Sequence, residues 1–377
     1  MHIDHVHFYI KDAPRSRDWF VKAMNFQDRG SWHSRHTQTG WVSSGPVNLL
    51  LSSPLTPESR WFDFARSHPP GVVDLAFRVD DLEGAIDRAI AAGAQVLEPA
   101  SQSRDDRGVL KWARVEGWGA LSHTLVERRG RTEGRFPQLG ELNVDRDRVA
   151  SAFAKRLQRS QENRVEDGAG EDPLTLLGID HVVLNVEAGE LQAACDYYQK
   201  SFGFERQQSF TIRTGRSGLY SQVLVHPRGQ IELPINEPTS DNSQIQEFLE
   251  CNGGSGIQHI ALRTDRLVET IARWRRRGVS FIDVPATYYA GLAKRCPVEL
   301  SEERWRAIAA QEILVDWQDE ASDALLLQTF TQPIFDRPTF FFEAIERYRG
   351  ALGFGEGNFQ ALFEAIERAQ IERSRPE

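Results

Sequence analysis

Gly178-Ile-Asp-His181-Val-Val-Leu-Asn-Val186 restates, about 176 residues later, the opening of the chain, Ile3-Asp-His5-Val-His7-Phe-Tyr-Ile10. Both are apolar, partly β-branched runs of strand length with Asp-His near the start. The flanking segments correspond as well. Asp12 to Met24 has helical spacing, with Trp19, Phe20 and Ala23 on one face and a close at Asn25-Phe26; its later copy runs through Tyr197-Tyr198 to Phe202-Gly-Phe204. Gly71-Val-Val-Asp74-Leu-Ala-Phe-Arg-Val79 corresponds to Gly256-Ile-Gln-His259-Ile-Ala-Leu-Arg-Thr264, each followed by a helix and a glycine, Gly93 and Gly278. A period of about 180 residues is too long for a solenoid and denotes one duplicated domain.

Within each copy a strand–helix–strands unit occurs about twice. In the first, a hairpin over Trp41 to Leu51 turns at Gly45-Pro46, and a polar loop leads to the strand at Val72. Asp80-Asp81 then caps a helix reaching Ala92, and strands at Val96-Leu97 and around Trp112 to Val126 complete the half. A doubly wound parallel sheet needs a helix between successive strands, and those are missing. The expected class is α+β, with a strongly curved sheet around a cavity in each half. The domains predicted are 1–130 and 176–377, joined by a linker over 131–175. In that linker Glu162 to Asp172 reads as solvated chain and Asn143 to Gln161 as a helix.

Composition narrows the function. A chain of 377 residues exceeds one ordinary core, which agrees with two domains. A net charge of -9 gives no reason to expect nucleic acid or an anionic membrane as partner, which leaves small-molecule work. The amino terminus is already strand-like and predicts no signal peptide, and no apolar run reaches the roughly 20 residues of a membrane span. Cys195, Cys251 and Cys296 lack metal-binding spacing and fit reduced thiols in a cytosol.

Near the end, Pro338-Thr-Phe-Phe-Phe-Glu343 places a carboxylate in what reads as the last buried strand. An ionised carboxylate among aromatics is costly unless a cation or strong donor compensates it. Comparing the copies suggests the partner. His181 and His259 sit on separate strands of the second half, where the first half has His5 and Asp74, and the first half shows no counterpart of the Phe-Phe-Phe-Glu343 strand. Taken singly, each histidine reads as a satisfied core residue, and no local motif links three residues 78 and 84 positions apart. Two imidazoles and one carboxylate on one face of an octahedron are nevertheless the ligand set of non-haem Fe(II) oxygenases, leaving open positions for substrate and dioxygen. His5, His7, His33, His36, His123 and His226 are read as structural or surface residues, His5 being a relic of the duplication.

Four segments taken together, Asp336-Arg-Pro-Thr-Phe-Phe-Phe-Glu343, Gly353-Phe-Gly-Glu-Gly-Asn-Phe359 with Leu362-Phe363, Leu233-Pro-Ile-Asn236-Glu-Pro238 and Gly256-Ile-Gln-His259-Ile-Ala-Leu262, resemble the 4-hydroxyphenylpyruvate dioxygenase family of the vicinal oxygen chelate superfamily. Val284-Pro-Ala-Thr-Tyr-Tyr289 belongs to the same pattern. The likeness is dense over 178–366 and mostly architectural before residue 130. It implies two tandem vicinal-oxygen-chelate domains built from βαβββ repeats, each a curved open-barrel sheet, the first metal-free and the second catalytic. It also implies Fe(II) held by His181, His259 and Glu343, with 4-hydroxyphenylpyruvate and O2 as substrates and homogentisate and CO2 as products of oxidative decarboxylation, ring hydroxylation and side-chain migration. A cytoplasmic homo-oligomer, dimer or tetramer, in tyrosine catabolism or quinone synthesis is the setting implied.

Residue by residue, Ser221, Asn236, Gln244 and Gln258 match polar groups around the phenol end, and Gln328 matches a residue near the iron and keto acid. Phe330, Phe354 and Phe359 match aromatics packed about the ring. Taken alone, Gln328 reads as a half-exposed sheet residue, and Phe359, Leu362, Phe363 and Ile366 as one face of an amphipathic helix. Following the glycine-rich loop, that helix is expected to close over the pocket as a C-terminal lid. The nearest rival, 4-hydroxymandelate synthase, shares substrate, metal and ligands; Pro234 and Asn236 in the pocket that tilts the ring favour the dioxygenase pattern. A metal-free binding or resistance protein of the same fold is a rival from a different class, and an extradiol ring-cleaving dioxygenase is a third.

Overall fold

Alternating apolar residues along the repeated segments build two sheets of eight strands in a computed structural model that describes residues 1–137, 174–213, 217–229, 231–318, 323–355 and 357–358. The first half runs β1 (His2–Tyr9), α1 (Ala13–Ala23), β2 (Gln27–His33), β3 (Thr37–Ser44), β4 (Val47–Pro54), α2 (Arg60–Ser67), β5 (Gly71–Arg78), α3 (Leu82–Ala91), β6 (Val96–Arg104), β7 (Gly108–Glu116) and β8 (Ser122–Gly130). In the second come β9 (Gly178–Asn185), α4 (Leu191–Phe202), β10 (Glu205–Arg213), β11 (Gly218–Val225), β12 (Glu232–Pro238), α5 (Gln244–Asn252), β13 (Gly256–Arg263) and α6 (Leu267–Arg276). They are followed by α7 (Ala286–Tyr289), α8 (Leu292–Arg295), α9 (Glu302–Ala310), β14 (Leu314–Asp316), β15 (Leu325–Phe330) and β16 (Phe341–Tyr348).

The strand orders match position for position, β2-β3-β4-β1-β5-β8-β7-β6 and β10-β11-β12-β9-β13-β16-β15-β14. In each, a βαβββ unit closes with its first and last strands parallel, β1 on β4 and β9 on β12, and the two units join through an antiparallel pair, β1 on β5 and β9 on β13. Parallel pairing demands a crossover, and the helix of each unit supplies it. The class is α+β, two tandem curled sheets.

Local sequence sets the element ends. Asp12 accepts from the Arg15 amide at 3.0 Å to start α1, with Pro14 in its first turn, and Asp81 accepts from Gly84 at 3.1 Å to start α3. The last strand of each sheet also holds a helix: Glu127 of β8 accepts from the Leu82 amide at 3.1 Å, and Glu346 of β16 from Leu267 at 2.9 Å.

Two expectations are corrected. The polar loop before β5 contains α2, started by Ser59 and anchored by Trp61, which is buried against Tyr9 and Val73; its short apolar face is masked by charged neighbours. The strand of Glu343 does have a counterpart. β8 pairs with β5 in parallel, Asp74 beside Ser122 and Arg78 beside Val126, as β16 pairs with β13, His259 beside Phe341 and Arg263 beside Ile345. Thr124 therefore occupies the place of Glu343. What the first half lacks is the carboxylate, not the strand.

Strand alternation also divides the phenylalanine run. Phe340 and Phe342 point away from the concave face into the first half, where Phe340 meets Phe8 edge-on at 5.1 Å and Phe342 meets Phe20 at 5.9 Å. Phe77, His123, Tyr198 and Phe202 extend the same core between halves, with His123 Nε2 3.1 Å from the Tyr198 hydroxyl. Each buried ring contributes about 2–3 kcal/mol by removal from water, so the halves are held by one shared aromatic layer. The predicted helix over Asn143 to Gln161 and the C-terminal lid helix lie outside the described residues.

Candidate metal centre

β9, β13 and β16 are adjacent, and the inward position of each carries one ligand-type side chain. His181 Nε2 lies 3.1 Å from Glu343 Oε2 and His259 Nε2 lies 3.6 Å from the same oxygen. All three are buried, at 3, 8 and 2% exposure for His181, His259 and Glu343, and their ligand atoms lie within 4.8 Å of one another. Behind each imidazole, the preceding residue accepts from Nδ1: Asp180 from His181 at 3.1 Å and Gln258 from His259 at 3.2 Å. Both rings thus present Nε2 to the carboxylate.

A β-bulge makes this possible on β13. Pairing with β9 slips between Ile257 and His259, so Gln258 and His259, although consecutive, both reach the concave face. Phe341 stacks on His259 at 4.8 Å with planes 17° apart, and Phe354 meets His181 edge-on at 5.4 Å. Phe354 is turned inward between two left-handed glycines, Gly353 at φ 80° and Gly355 at φ 77°.

Electrostatics distinguish the imidazoles. Burial works against a charged His181, but the Glu343 and Asp180 carboxylates outweigh it and raise it to about 10. Burial, with the charge on His181, pushes His259 well below its ordinary value. Burial would raise Asp180, yet hydrogen bonds from His181 and Arg347 hold it well below the usual carboxylate range. Glu343 Oε1 is buried without a hydrogen-bond donor. Two Nε2 lone pairs and a carboxylate converging this closely require a cation or proton among them. Bonds of about 2.1 Å to one divalent ion place neighbouring donors about 3 Å apart. The donor set fits such an ion.

The cavity in front of these residues encloses about 600 Å³ including its mouth. Ser221, Pro234, Asn236, Gln244, Gln258, Phe330 and Phe354 line it together with the three ligands. Ser221 and Asn236 are register partners on β11 and β12, and Asn236 Nδ2 donates to Asn185 at 3.3 Å. Gln244 enters as the first residue of α5. Val183, Phe210, Ile212, Leu219, Ile245 and Phe341 complete the walls. Sequence reasoning does not single these out, although Phe210 and Ile212 show the alternate spacing of a strand with one face inward.

One expected residue, Gln328, is not brought into the lining. Gln328, buried on β15, accepts at Oε1 from Asn358 Nδ2 at 3.3 Å. A side chain at Gly355 would collide with that oxygen, so the loop after β16 rests on the amide and separates it from the cavity. Phe359 lies outside the described residues. Asp180 and Arg347, paired behind His181, are not singled out by sequence reasoning, though the Asp of the repeated Ile-Asp-His is a visible signal.

The Glyoxalase/Bleomycin resistance protein/Dioxygenase superfamily matches twice, at residues 4–110 and 178–296, one match in each sheet. A 4-hydroxyphenylpyruvate dioxygenase of Yarrowia lipolytica is 36% identical over 98% of this chain and 92% of its own length. The chain belongs to the 4-hydroxyphenylpyruvate dioxygenase family. Another dioxygenase of that name, from Dictyostelium discoideum, is 33% identical over 98% of both chains. Among solved structures, a triple mutant of 4-hydroxymandelate synthase from Streptomyces coelicolor superposes with a TM-score of 0.78 at 25% identity, over 98% of both chains. As a member of the dioxygenase family the chain is an enzyme, and its buried His, His, Glu cluster is its candidate metal site. Among the described residues, no helix is long and apolar enough to cross a membrane.

Proposed function

We propose that this enzyme converts 4-hydroxyphenylpyruvate and dioxygen to homogentisate and carbon dioxide at an Fe(II) held by His181, His259 and Glu343. The observation that carries the reading is the donorless Glu343 Oε1, buried beside two Nε2 atoms at the floor of a mostly apolar cavity. When bound, iron supplies the redox chemistry that dioxygen requires and coordination positions for a 2-oxo acid. Glu343 contributes the only protein negative charge to the ligand set, leaving about one positive charge to attract the anionic keto acid.

The remaining residues orient and enclose. Ser221 and Asn236 meet the phenol hydroxyl from paired strand positions, Asn185 fixing the Asn236 amide, while Gln244 and Gln258 complete the polar set. Phe330, Phe341, Phe354 and Pro234 hold the ring and exclude water. Gln328 is assigned to seating the loop that carries Phe354, rather than to touching substrate. Residues 1–130 form a structural, metal-free domain: Asp74, at the place of His259, already accepts from Ser122 Oγ at 2.7 Å and Thr124 Oγ1 at 3.0 Å. The three cysteines are free thiols, which fits a reducing cytosol.

The test is aerobic incubation of iron-loaded protein with 4-hydroxyphenylpyruvate and identification of the product. Homogentisate is expected. The likeness to a 4-hydroxymandelate synthase makes 4-hydroxymandelate the result that overturns the assignment, and substrate left unconsumed by stoichiometrically loaded protein would remove both.

A further inference from the structure

Behind each opening histidine stands the same device, built twice. In the second half, Asp180 accepts from His181 Nδ1 and is gripped by Arg347 through Nη2 at 2.6 Å and Nε at 2.8 Å. Arg347 Nη1 donates to the carbonyls of Ala351 at 3.1 Å and Gly353 at 2.9 Å, in the loop that ends with Phe354 on the ring of His181. In the first half, Asp4 lies 2.8 Å from His5 Nδ1 and is gripped by Arg128 at 2.6 and 2.8 Å. Arg128 donates to the carbonyls of Thr132 at 2.7 Å and Arg135 at 2.9 Å, beside Phe136, whose ring meets His5 at 5.0 Å.

Closing the loop is therefore a property of the fold, common to both halves. In the second half the far nitrogen of the histidine faces Glu343 at 3.1 Å, whereas in the first half His5 stands near Asp74, a carboxylate that Ser122 and Thr124 already hold. A bidentate guanidinium leaves the carboxylate one orientation, and that orientation takes the Nδ1 proton. Nε2 is then the only nitrogen free to bind, and the carboxylate behind it increases its basicity.

We propose that Asp180 and Arg347 are positioning residues that fix His181 with Nε2 aimed at the metal, and that they couple metal binding to the seating of Phe354 and its loop. The proposal rests on the reading that His181, His259 and Glu343 hold a divalent ion. Because coupling between two sites is reciprocal, metal protects the loop and an intact clasp tightens the metal.

Cobalt(II), titrated alone into metal-free protein and followed by its visible absorption, separates the two claims. Wild type binding one equivalent and Glu343→Ala binding none supports the metal site; a wild type that binds no cobalt overturns that reading and the clasp's role with it. Asp180→Asn is expected to weaken binding by about 10–100-fold, the usual effect of removing a partner behind a ligand, while its first-half twin Asp4→Asn changes it less than about twofold. Should Asp180→Asn fail to fold, Arg347→Lys against Arg128→Lys carries the same decision, with a loss expected only in the former. Tryptic cleavage at Arg349 is expected to slow on adding cobalt in wild type and to lose that protection in Arg347→Lys. Equal effects in the twin variants, or wild-type affinity in both second-half variants, would overturn the proposal.

Discussion

The two halves share strand order, an Ile-Asp-His opening, an arginine clasp and an aromatic ring over the histidine, and they part at the inward side chains. His181, His259 and Glu343 in one stand where the other has His5, Asp74 and Thr124. In the first half burial raises Asp74 toward its neutral form, and Ser122 and Thr124 give it three hydrogen bonds. Trp61 packs on His7 at 4.8 Å and Phe136 on His5, so this concave face is occupied by the chain's own rings. The second half leaves a carboxylate oxygen donorless and an apolar cavity before it. One scaffold thus satisfies its buried polar groups internally or leaves them for a cation, and a few side chains decide which.

The largest test of this contrast is Glu343→Gln. Loss of the charged ligand removes several kcal/mol of stabilisation at the reacting centre, so turnover should fall by about 10³-fold or more, with iron lost on gel filtration; retained iron and near-normal turnover would erase the distinction between halves. Next is the layer that joins them. Phe340→Ala should destabilise by about 3–5 kcal/mol in urea unfolding, as expected for a buried ring against Phe8, and a cost under about 1 kcal/mol would mean the halves are stabilised separately.

His123 tests the same layer through pH. Burial lowers it to about 4 from an ordinary value of 6.5. The unfolded chain binds the proton more readily between those values, so the stabilisation is whole above pH 6.5 and is lost as pH falls through about 4, amounting to about 3 kcal/mol. Removing the titrating group with His123→Phe should flatten the stability–pH slope in that window, and an unchanged slope would assign it elsewhere.

Smaller effects concern the cavity. Asn236→Ala should raise KM about tenfold, the value of roughly one hydrogen bond to a polar ring substituent, with kcat changed less; the reverse split would place Asn236 at the reacting atoms. Least of all is expected from grafting the ligands backwards. With Asp74→His and Thr124→Glu combined, the protein should still bind one equivalent of cobalt, because Phe136 and Trp61 fill the first face. A second equivalent would show that ligand identity alone separates the halves.

Much of this is legible in the chain. The duplication, the curled-sheet class and the three candidate ligand residues follow from repeated strand patterns and from one carboxylate whose burial calls for a partner. Other parts have no local signature. Gln328 is expected near the metal from the resemblance alone, and its environment depends on a loop placed by Gly353, Gly355 and Arg347. The counterpart of β16 is hard to see because Thr124 carries neither the charge nor the aromatic run that marks Glu343. The Asp180–Arg347 pair spans 167 positions, and its first-half twin 124, separations at which sequence alone does not reveal an ion pair.

What the sequence determined by itself is what period and residue chemistry encode: the alternation that makes strands, the repeat that makes two sheets, and a donor set suited to a divalent ion. Tertiary structure decided which of those side chains share a face. Inward direction on a strand has a period of two, but a bulge at Gln258 shifts it, and only strand pairing sets where bulges fall. For the same reason Phe341 borders the candidate metal site while Phe340 and Phe342 join the halves, though no feature of the three residues themselves distinguishes them.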